Sequence, residues 1–403
     1  MNAPADPSQD PSSADAIAPG HWLGLLGGGQ LGRMFCMAAQ SLGYRVAVID
    51  PADASPAGSV ADLHLRADYL DGAALERMAT LCRAATTEFE NVPAAALDFL
   101  ARRLRVTPSA ASVAIAQDRI SEKTFLSGSG FAVTPFAVLR GDADVAKASS
   151  TLLPGIVKSA RLGYDGKGQA RVATHEETAS AFAALGRNPC VLERLIDLAC
   201  EVSVVVARGD DGRTAAWPVA ENLHRDGILD VSIVPARIEP TLAARAVETA
   251  TDIAAALDYR GVLCVEMFVA SGGELLVNEI APRPHNSGHY TIDACVTSQF
   301  EQQARILAGM PPGATDQHTP AVMVNLLGDL WFDSDGRMRA PAWDRVLAHP
   351  ACKLHLYGKH EPRRGRKMGH ATCLGATLDD ALATARAIRR TLGIRGVDAI
   401  SAG

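Results

Sequence analysis

The stretch that most constrains this chain is Val262–Tyr290, in which two apolar runs rich in β-branched residues flank Ser271-Gly272-Gly273-Glu274 and lead into a polar loop. A Gly-Gly pair supplies the positive φ angles of a tight turn, so the stretch predicts a β-hairpin closed by a two- or four-residue loop. With the turn centred on that pair, Glu266 and Glu279 are equidistant from it and face each other. Directly opposed side chains have Cβ atoms roughly 4.5–5.5 Å apart, and like charges placed there repel. A Mg²⁺ ion relieves the repulsion, because it takes carboxylate oxygens at about 2.0–2.1 Å and keeps substrate phosphates as further ligands. Asn278 adds a neutral oxygen beside Glu279. Two other readings compete: Glu266 on an edge strand facing solvent, or a register shifted by one residue, which moves every side chain to the opposite face.

At 403 residues the chain has room for two or three domains with substantial cores. A net charge of −6 and a pI near 6.0 exclude a global attraction to nucleic acid or to anionic membrane. No run of about 18 uninterrupted apolar residues exists, so no transmembrane helix is expected. Residues 1–20 are rich in Ala, Pro, Ser and Asp and lack both a basic start and an apolar core. They predict a disordered tail, not a signal peptide. The eight cysteines are scattered without a C-x-x-C pair, which fits a reduced, cytoplasmic compartment.

Taken in order, Trp22–Leu26 is a strand, Gly27–Met34 a glycine-rich turn into a helix ending near Leu42, and Tyr44–Ile49 a second strand before Asp50. This unit carries G-x-G-x-x-G as Gly27, Gly29 and Gly32 with an acid about twenty residues on, the dinucleotide fingerprint. The same glycines also serve tight strand-to-helix packing, and helix N-termini bind simple phosphates. Ala84–Asn91 reads as a strand emptying into an acidic loop, and ligands of open α/β sheets sit at that carboxyl end, so Glu88 and Glu90 are candidate substrate contacts. Helices follow over 108–116 and 118–127, with a domain boundary at Asp118/Arg119.

Pro154–Lys158 is a strand ending on a lysine, followed by Ala160–Gln169, a glycine-rich loop of mixed charge. Such a loop exposes backbone N–H groups and folds over nucleotide phosphates, although it is not a Walker A motif; without a ligand it is a hairpin tip. Val191–Ile196 reads as a strand running into a hinge. Strands at 201–207 and 215–219 and a helix at 240–257 feed the hairpin.

The order of these parts resembles the ATP-grasp superfamily: strand lysine, glycine-rich lid, glutamate hinge, two-carboxylate hairpin. More narrowly, Gly-Gly-Gly-Gln-Leu-Gly-Arg-Met, Thr-Glu-Phe-Glu-Asn, Gly-Tyr-Asp-Gly-Lys-Gly-Gln, Asn-Glu-Ile-Ala-Pro-Arg-Pro-His-Asn-Ser-Gly-His-Tyr and Gly-Arg-Lys-Met-Gly-His look like the N5-carboxyaminoimidazole ribonucleotide synthetases of purine biosynthesis, over His21 to about His370. The resemblance implies an α/β chain, α+β in its central part: a Rossmann-like pre-ATP-grasp domain at 21–118, an ATP-grasp domain at 119–315 with its lid near 133–197, and a small C-terminal domain at 316–403. It implies that ATP and Mg²⁺ activate bicarbonate as carboxyphosphate, which carboxylates the amine of 5-aminoimidazole ribonucleotide. A cytoplasmic homodimer passing its product to the following mutase is implied as well.

Residue by residue, Arg119 and Lys158 match the family's ATP-phosphate contacts, and Gly163, Tyr164, Asp165, Gly166, Lys167, Gly168 and Gln169 its lid. Glu193, Arg194, Leu195 and Ile196 fall at the adenine hinge, Glu201 at the ribose, and His224, Asn278 and Glu279 at further nucleotide contacts. Glu266 and Glu279 are the expected metal ligands. Arg283 offers a fork matched to bicarbonate, with His285 and Asn286 fixing its other oxygens. Tyr164 and Asp165 shield the reaction from water, and Asp165 orients or deprotonates the amine. Gln30, Leu31 and Glu88 fall on the substrate side. Lys353, Arg363, Arg366 and Lys367 supply cations for the substrate phosphate, a use that the overall acidity favours over nucleic acid. Formate-dependent glycinamide ribonucleotide transformylase and biotin carboxylase share the acyl-phosphate logic and stand as alternatives, as do a dinucleotide oxidoreductase and a non-catalytic nucleotide-binding scaffold.

Overall fold

The computed structural model of the protein describes residues 16–161, 163 and 168–396. The predicted Tyr164, Asp165, Gly166 and Lys167 of the glycine-rich loop lie outside the described residues.

The N-terminal part is a parallel sheet of five strands, β1 (Trp22–Leu26), β2 (Arg45–Ile49), β3 (Leu63–Leu65), β4 (Ala84–Thr87) and β5 (Arg105–Val106), in the order β3-β2-β1-β4-β5. Four helices accompany it: α1 (Gln30–Ser41), α2 (Gly72–Leu81), α3 (Ala94–Ala101) and α4 (Ala110–Ala116). Parallel strands are covered on both faces, which is why Leu23, Leu25, Val46 and Val48 pack toward α1 while Leu26, Ala47 and Ile49 pack toward α2 and α3. Residues 16–20, expected to be disordered, are instead pinned. The Ile17 amide donates to Ala308 O at 2.8 Å, and Tyr44 Oη donates to Ile17 O at 2.7 Å.

Helix α5 (Arg119–Gly128), capped by the Asp118 carboxylate, leads into a four-stranded antiparallel sheet. Its strands β6 (Phe136–Leu139), β7 (Gly155–Ser159), β8 (Gln169–Val172) and β9 (Cys190–Arg194) run in the order β6-β9-β7-β8 and carry α6 (Asp142–Lys147) and α7 (His175–Ala184).

A third sheet begins with β10 (Leu198–Arg208), β11 (Thr214–Ala216), β12 (Ala220–Arg225) and β13 (Ile228–Val234). Helix α8 (Pro240–Ala256) follows, then β14 (Gly261–Ala270) and β15 (Leu275–Ala281), and α9 (Thr291–Ala294) with α10 (Gln299–Leu307). Beyond these, β16 (Ala321–Leu327), α11 (Trp343–Leu347), β17 (Cys352–Leu356), β18 (Lys367–Leu374) and α12 (Leu378–Leu392) complete the chain. The order is β15-β14-β10-β12-β13-β16-β18-β17, with β11 paired to β10. The C-terminal strands therefore extend the central sheet across the β13–β16 pairing. One sheet face thus carries groups from both parts toward a common cleft. The opposite face is apolar, with α8 over Val204 and Val265, and α12 over Val322 and Val324.

Candidate active site

The hairpin of β14 and β15 pairs Glu266 directly with Glu279, as expected, but by a different route. The loop has three residues: the Ala270 amide donates to Glu274 O at 2.9 Å, and Gly273 takes a φ of 82°. Such a loop alone shifts the register by one, and Met267 accordingly faces Val277. A bulge at Asn278 then inserts the missing residue and restores the Glu266–Glu279 pairing. Because two residues of a bulged strand oppose one, Asn278 and Glu279 both line the same cleft as Glu266.

That cleft, about 520 Å³, lies between the four-stranded sheet and the long one. The donor set fits a hard divalent cation. Two carboxylates are juxtaposed, and Asn278 Oδ1 is buried without a hydrogen-bond partner. Among the described residues no cluster of three or more His, Cys, Asp or Glu is arranged to hold a metal by itself. This suits Mg²⁺, which takes one or two carboxylates and completes its shell with phosphate and water.

Protein cations neutralise these acids. Arg119 Nη2 donates to Glu279 Oε2 at 2.6 Å, and His285 Nε2 lies 2.9 Å from Glu266 Oε1. Burial raises the Glu266 carboxyl, but the charge and hydrogen bond of His285, with the charges of His224 and Lys367, together overcome it and hold the group at about 2. For His285, burial acts downward, and the Cys264 sulfur and Glu266 carboxylate overcome it, lifting the ring to about 10.

Glu193, expected at the adenine hinge, lines the cleft, and its carboxylate is the buried counterion of the cationic wall. Lys158 Nζ donates to it at 2.8 Å, Lys123 Nζ lies at 3.7 Å, and Arg119 at 3.9 Å. Burial disfavours the charged Glu193, yet these three cations together depress its pKa. The fully buried Lys123 was not anticipated; only its helical spacing, four residues after Arg119, hinted that the two share a face. At the hinge, the Arg194 and Leu195 amides are taken by Pro135 O and Pro154 O, so Ile196 offers the next backbone donor. Glu201 Oε2 lies 2.9 Å from His224 Nδ1, and although burial acts downward on the ring, the Glu201 carboxylate raises its pKa. Both line the cleft, as do Gly163, Gly168 and Gln169.

Arg283 and His285 open onto a second, connected recess shared with Arg119, Glu90 and Gln117. Arg283 Nε donates to Glu90, closing the seam between the N-terminal sheet and the loop after β15. Glu90, expected as a substrate contact, is the partner of Arg283. Both amide atoms of Asn286 are buried without hydrogen-bond partners.

On the substrate side, two expectations are corrected. Glu88 is not free: its carboxylate accepts from the Gly29 amide at 2.5 Å and the Gly32 amide at 2.9 Å, capping α1. Leu31 is buried in the core beneath α1, which leaves Gln30 as the partly exposed side chain of that pair. Asp50 likewise accepts from Gly28 N at 2.8 Å and from Tyr69 Oη at 2.7 Å. The donors of the dinucleotide fingerprint are thus occupied by the carboxyl groups of Glu88 and Asp50, and a pyrophosphate there would have to displace both. The oxidoreductase alternative fails on this point.

The four C-terminal cations are not brought together. Lys367 begins β18, and its charge helps lower the Glu266 pKa. Lys353 is exposed and faces Thr372, about 17 Å of strand from Lys367. Arg363 Nη2 pairs with Glu361 Oε2 at 2.7 Å in solvent, and Arg366 Nη1 donates to Glu361 O at 2.7 Å.

Comparisons with known proteins agree with this architecture. The ribonucleotide synthetase preATP-grasp domain family matches residues 21–117, the ATP-grasp domain family 124–300, and the phosphoribosylaminoimidazole carboxylase C-terminal domain family 321–384. N5-carboxyaminoimidazole ribonucleotide synthase of Brucella melitensis is 46% identical over 360 residues, 89% of this chain and 97% of that protein. The Staphylococcus aureus N5-carboxyaminoimidazole synthetase complexed with ADP superposes with a TM-score of 0.86 at 37% identity, covering 95% of this chain and 100% of that one. The Aspergillus clavatus synthase complexed with ADP and 5-aminoimidazole ribonucleotide gives 0.84 at 30% identity, covering 93% and 98%. Fold, cleft and likeness over nearly the whole length converge, and the chain belongs to the N5-carboxyaminoimidazole ribonucleotide synthase family of ATP-grasp enzymes.

Proposed function

We propose that the cleft between the two antiparallel sheets is where ATP drives the carboxylation of 5-aminoimidazole ribonucleotide. The chain is an ATP-dependent carbon–nitrogen ligase of purine biosynthesis, and N5-carboxyaminoimidazole ribonucleotide is its product. The observation that carries the site assignment is the Glu266–Glu279 pair with the unpartnered Asn278 oxygen, opposite the Lys158–Arg119 wall.

ATP lies along that wall. Its phosphates are met by Lys158 and Arg119, its adenine by the hinge at 194–196, and its ribose by Glu201. Mg²⁺ held by Glu266 and Glu279, with Asn278 adjoining, neutralises charge on the transferred phosphoryl oxygens when bound. Phosphoryl transfer asks for positioning and charge neutralisation more than for covalent help, which is what this wall provides. Bicarbonate waits on the adjoining loop, gripped by the Arg283 fork and by His285 and Asn286, and takes the γ-phosphoryl group to become carboxyphosphate. The aminoimidazole ribonucleotide enters from the N-terminal sheet, past Gln30, with Lys367 closing the far side. Its amine attacks the carboxyl carbon and phosphate leaves. Tyr164 and Asp165 shield the intermediate from water, and Asp165 orients or deprotonates the amine.

The domains divide at 118/119 and near 315/316. The enzyme works as a cytoplasmic homodimer whose product passes to the mutase of the next step. Among the described residues no helix is long and apolar enough to cross a membrane. The decisive test is ADP release with ATP, Mg²⁺, bicarbonate and aminoimidazole ribonucleotide, each omitted in turn. Full turnover is expected only with all four. Undiminished carboxylation in a metal-free or bicarbonate-free assay overturns the corresponding part of the site.

A further inference from the structure

We infer that Ser203, Asn222 and Ser232 are positioning residues that act through Ser287 on His285. The inference rests on the placement of His285 at the bicarbonate subsite. Three neighbouring strands each contribute one of these polar residues to the face beneath the loop after β15. Ser232 Oγ on β13 donates to Asn222 Oδ1 on β12 at 2.8 Å. Asn222 Nδ2 donates to Ser203 Oγ on β10 at 2.8 Å, and Ser203 Oγ donates to Ser287 Oγ at 2.7 Å. Ser287 Oγ then meets His285 Nδ1 at 2.9 Å.

All four relay side chains are buried, with Ser232 and Ser287 fully inaccessible. Burying four polar groups in a sheet is costly unless each is satisfied, and here each link satisfies the next. The donor order is also determined. Ser203 has one hydroxyl hydrogen and already accepts from Asn222, so that hydrogen goes to Ser287. The relay ends on one ring nitrogen, which the Ser287 backbone amide also approaches at 3.3 Å. With Nδ1 anchored to the sheet, the ring plane is fixed and Nε2 is turned to Glu266 Oε1, 2.9 Å away. Beyond the relay, the ring is met by the Ser287 amide at Nδ1 and by Glu266 at Nε2, while Gln299 and the Gly288 amide hold the His285 backbone.

Steady-state kinetics of the full chain test the relay, with bicarbonate and ATP varied separately. The panel is H285N, S203A, S203T, N222L and the double variant S203A/H285N. S203A and N222L are expected to raise the bicarbonate KM about tenfold, the scale of one buried hydrogen bond lost from a positioning chain, with the ATP KM within about twofold of the parent. S203T, which keeps the hydroxyl, is expected to recover most of the loss. S203A is expected to add nothing to the H285N defect, because residues acting through one group are not additive. An unchanged bicarbonate KM in S203A, an equal rise in the ATP KM, or a defect that multiplies with H285N overturns the relay. If H285N itself leaves the bicarbonate KM unchanged, the subsite assignment falls and the relay with it. Should N222L fail to fold, the S203A and S203T pair decides alone.

Discussion

Arg119 and Glu279, 160 residues apart in the chain, meet at 2.6 Å, and Glu279 is the residue that faces Glu266 across the hairpin. An acid proposed for Mg²⁺ is thus paired with a cation proposed for the nucleotide phosphates. Binding of nucleotide with Mg²⁺ is expected to exchange these partners, turning the carboxylate to the metal and the guanidinium to phosphate. Replacing Glu279 with Gln is expected to raise the Mg²⁺ concentration for half-maximal rate by at least about tenfold, on the scale of disturbed metal shells. Titration of ADP release against Mg²⁺ checks this, and an unchanged half-saturation rejects Glu279 as a ligand.

Glu193 makes a stability prediction. Removing its charge leaves Lys158, Lys123 and Arg119 facing one another in a buried site, and breaking a buried ion pair on one side costs about 3–5 kcal/mol. Glu193→Gln is therefore expected to lower the denaturation midpoint sharply even without nucleotide. Its reverse partner, Lys123→Met, is expected to cost less, because burial already pushes that lysine down to about 8 and two cations remain on Glu193. Urea unfolding of both variants compares the two directly.

These groups mark where the sequence was legible and where it was not. Local alternation predicted the N-terminal strands and the hairpin because those signals are carried by adjacent residues. The Glu266–Glu279 pairing emerged correctly only because a three-residue loop and a bulge at Asn278 cancel, a compensation that residue counting does not detect. Glu88 capping α1 from 59 residues away, and Glu193 gathering cations from two distant elements, are tertiary events. A nearer signal was overlooked in Asp226-Gly227. Both residues take positive φ, 53° and 77°, in the turn that joins β12 to β13 and so sets Asn222 beside Ser232.

The seam between Glu90 and Arg283 is expected to govern acid stability. Burial opposes ionisation of Glu90, and the Arg283 guanidinium outweighs it, holding the carboxyl at about 2. A carboxyl depressed in the folded state contributes stability above its unfolded pKa of roughly 4.3, and that contribution fades as pH falls through the folded value. The parent is thus expected to lose stability from about pH 4.5 toward pH 2. Arg283→Ala is expected to flatten that limb, while its carboxylation rate is expected to fall for the separate reason that the fork proposed for bicarbonate is gone. Melting temperatures across this range, parent against variant, show whether the limb moves.

Occupation of the glycine-rich turn by Glu88 predicts that NAD(H) gives no thermal protection, whereas Mg-ATP does. Glu88→Ala removes a capping carboxylate from two buried amides, at a cost of about 1–3 kcal/mol. Thermal shifts with each nucleotide test the first statement, and denaturant midpoints the second.

The C-terminal cations separate by their surroundings. Lys367 projects its charge onto Glu266, whereas Arg363 is exposed and spends its charge on Glu361. Exposed ion pairs are screened by solvent and contribute little, so Arg363→Ala is expected to change kcat/KM for aminoimidazole ribonucleotide by less than about fivefold. Lys367→Met removes a charge that bears on Glu266 and is proposed for the substrate phosphate, and hydrogen bonds to charged groups are worth about 1.5–3 kcal/mol, so a loss of roughly tenfold or more is expected. Lys353, about 17 Å along the strands from Lys367, is expected to behave like Arg363. Measuring kcat/KM for the three variants side by side decides which cation serves the substrate. Equal losses at Lys367 and Lys353 would mean that the substrate reaches much farther along β18 than the cleft extends.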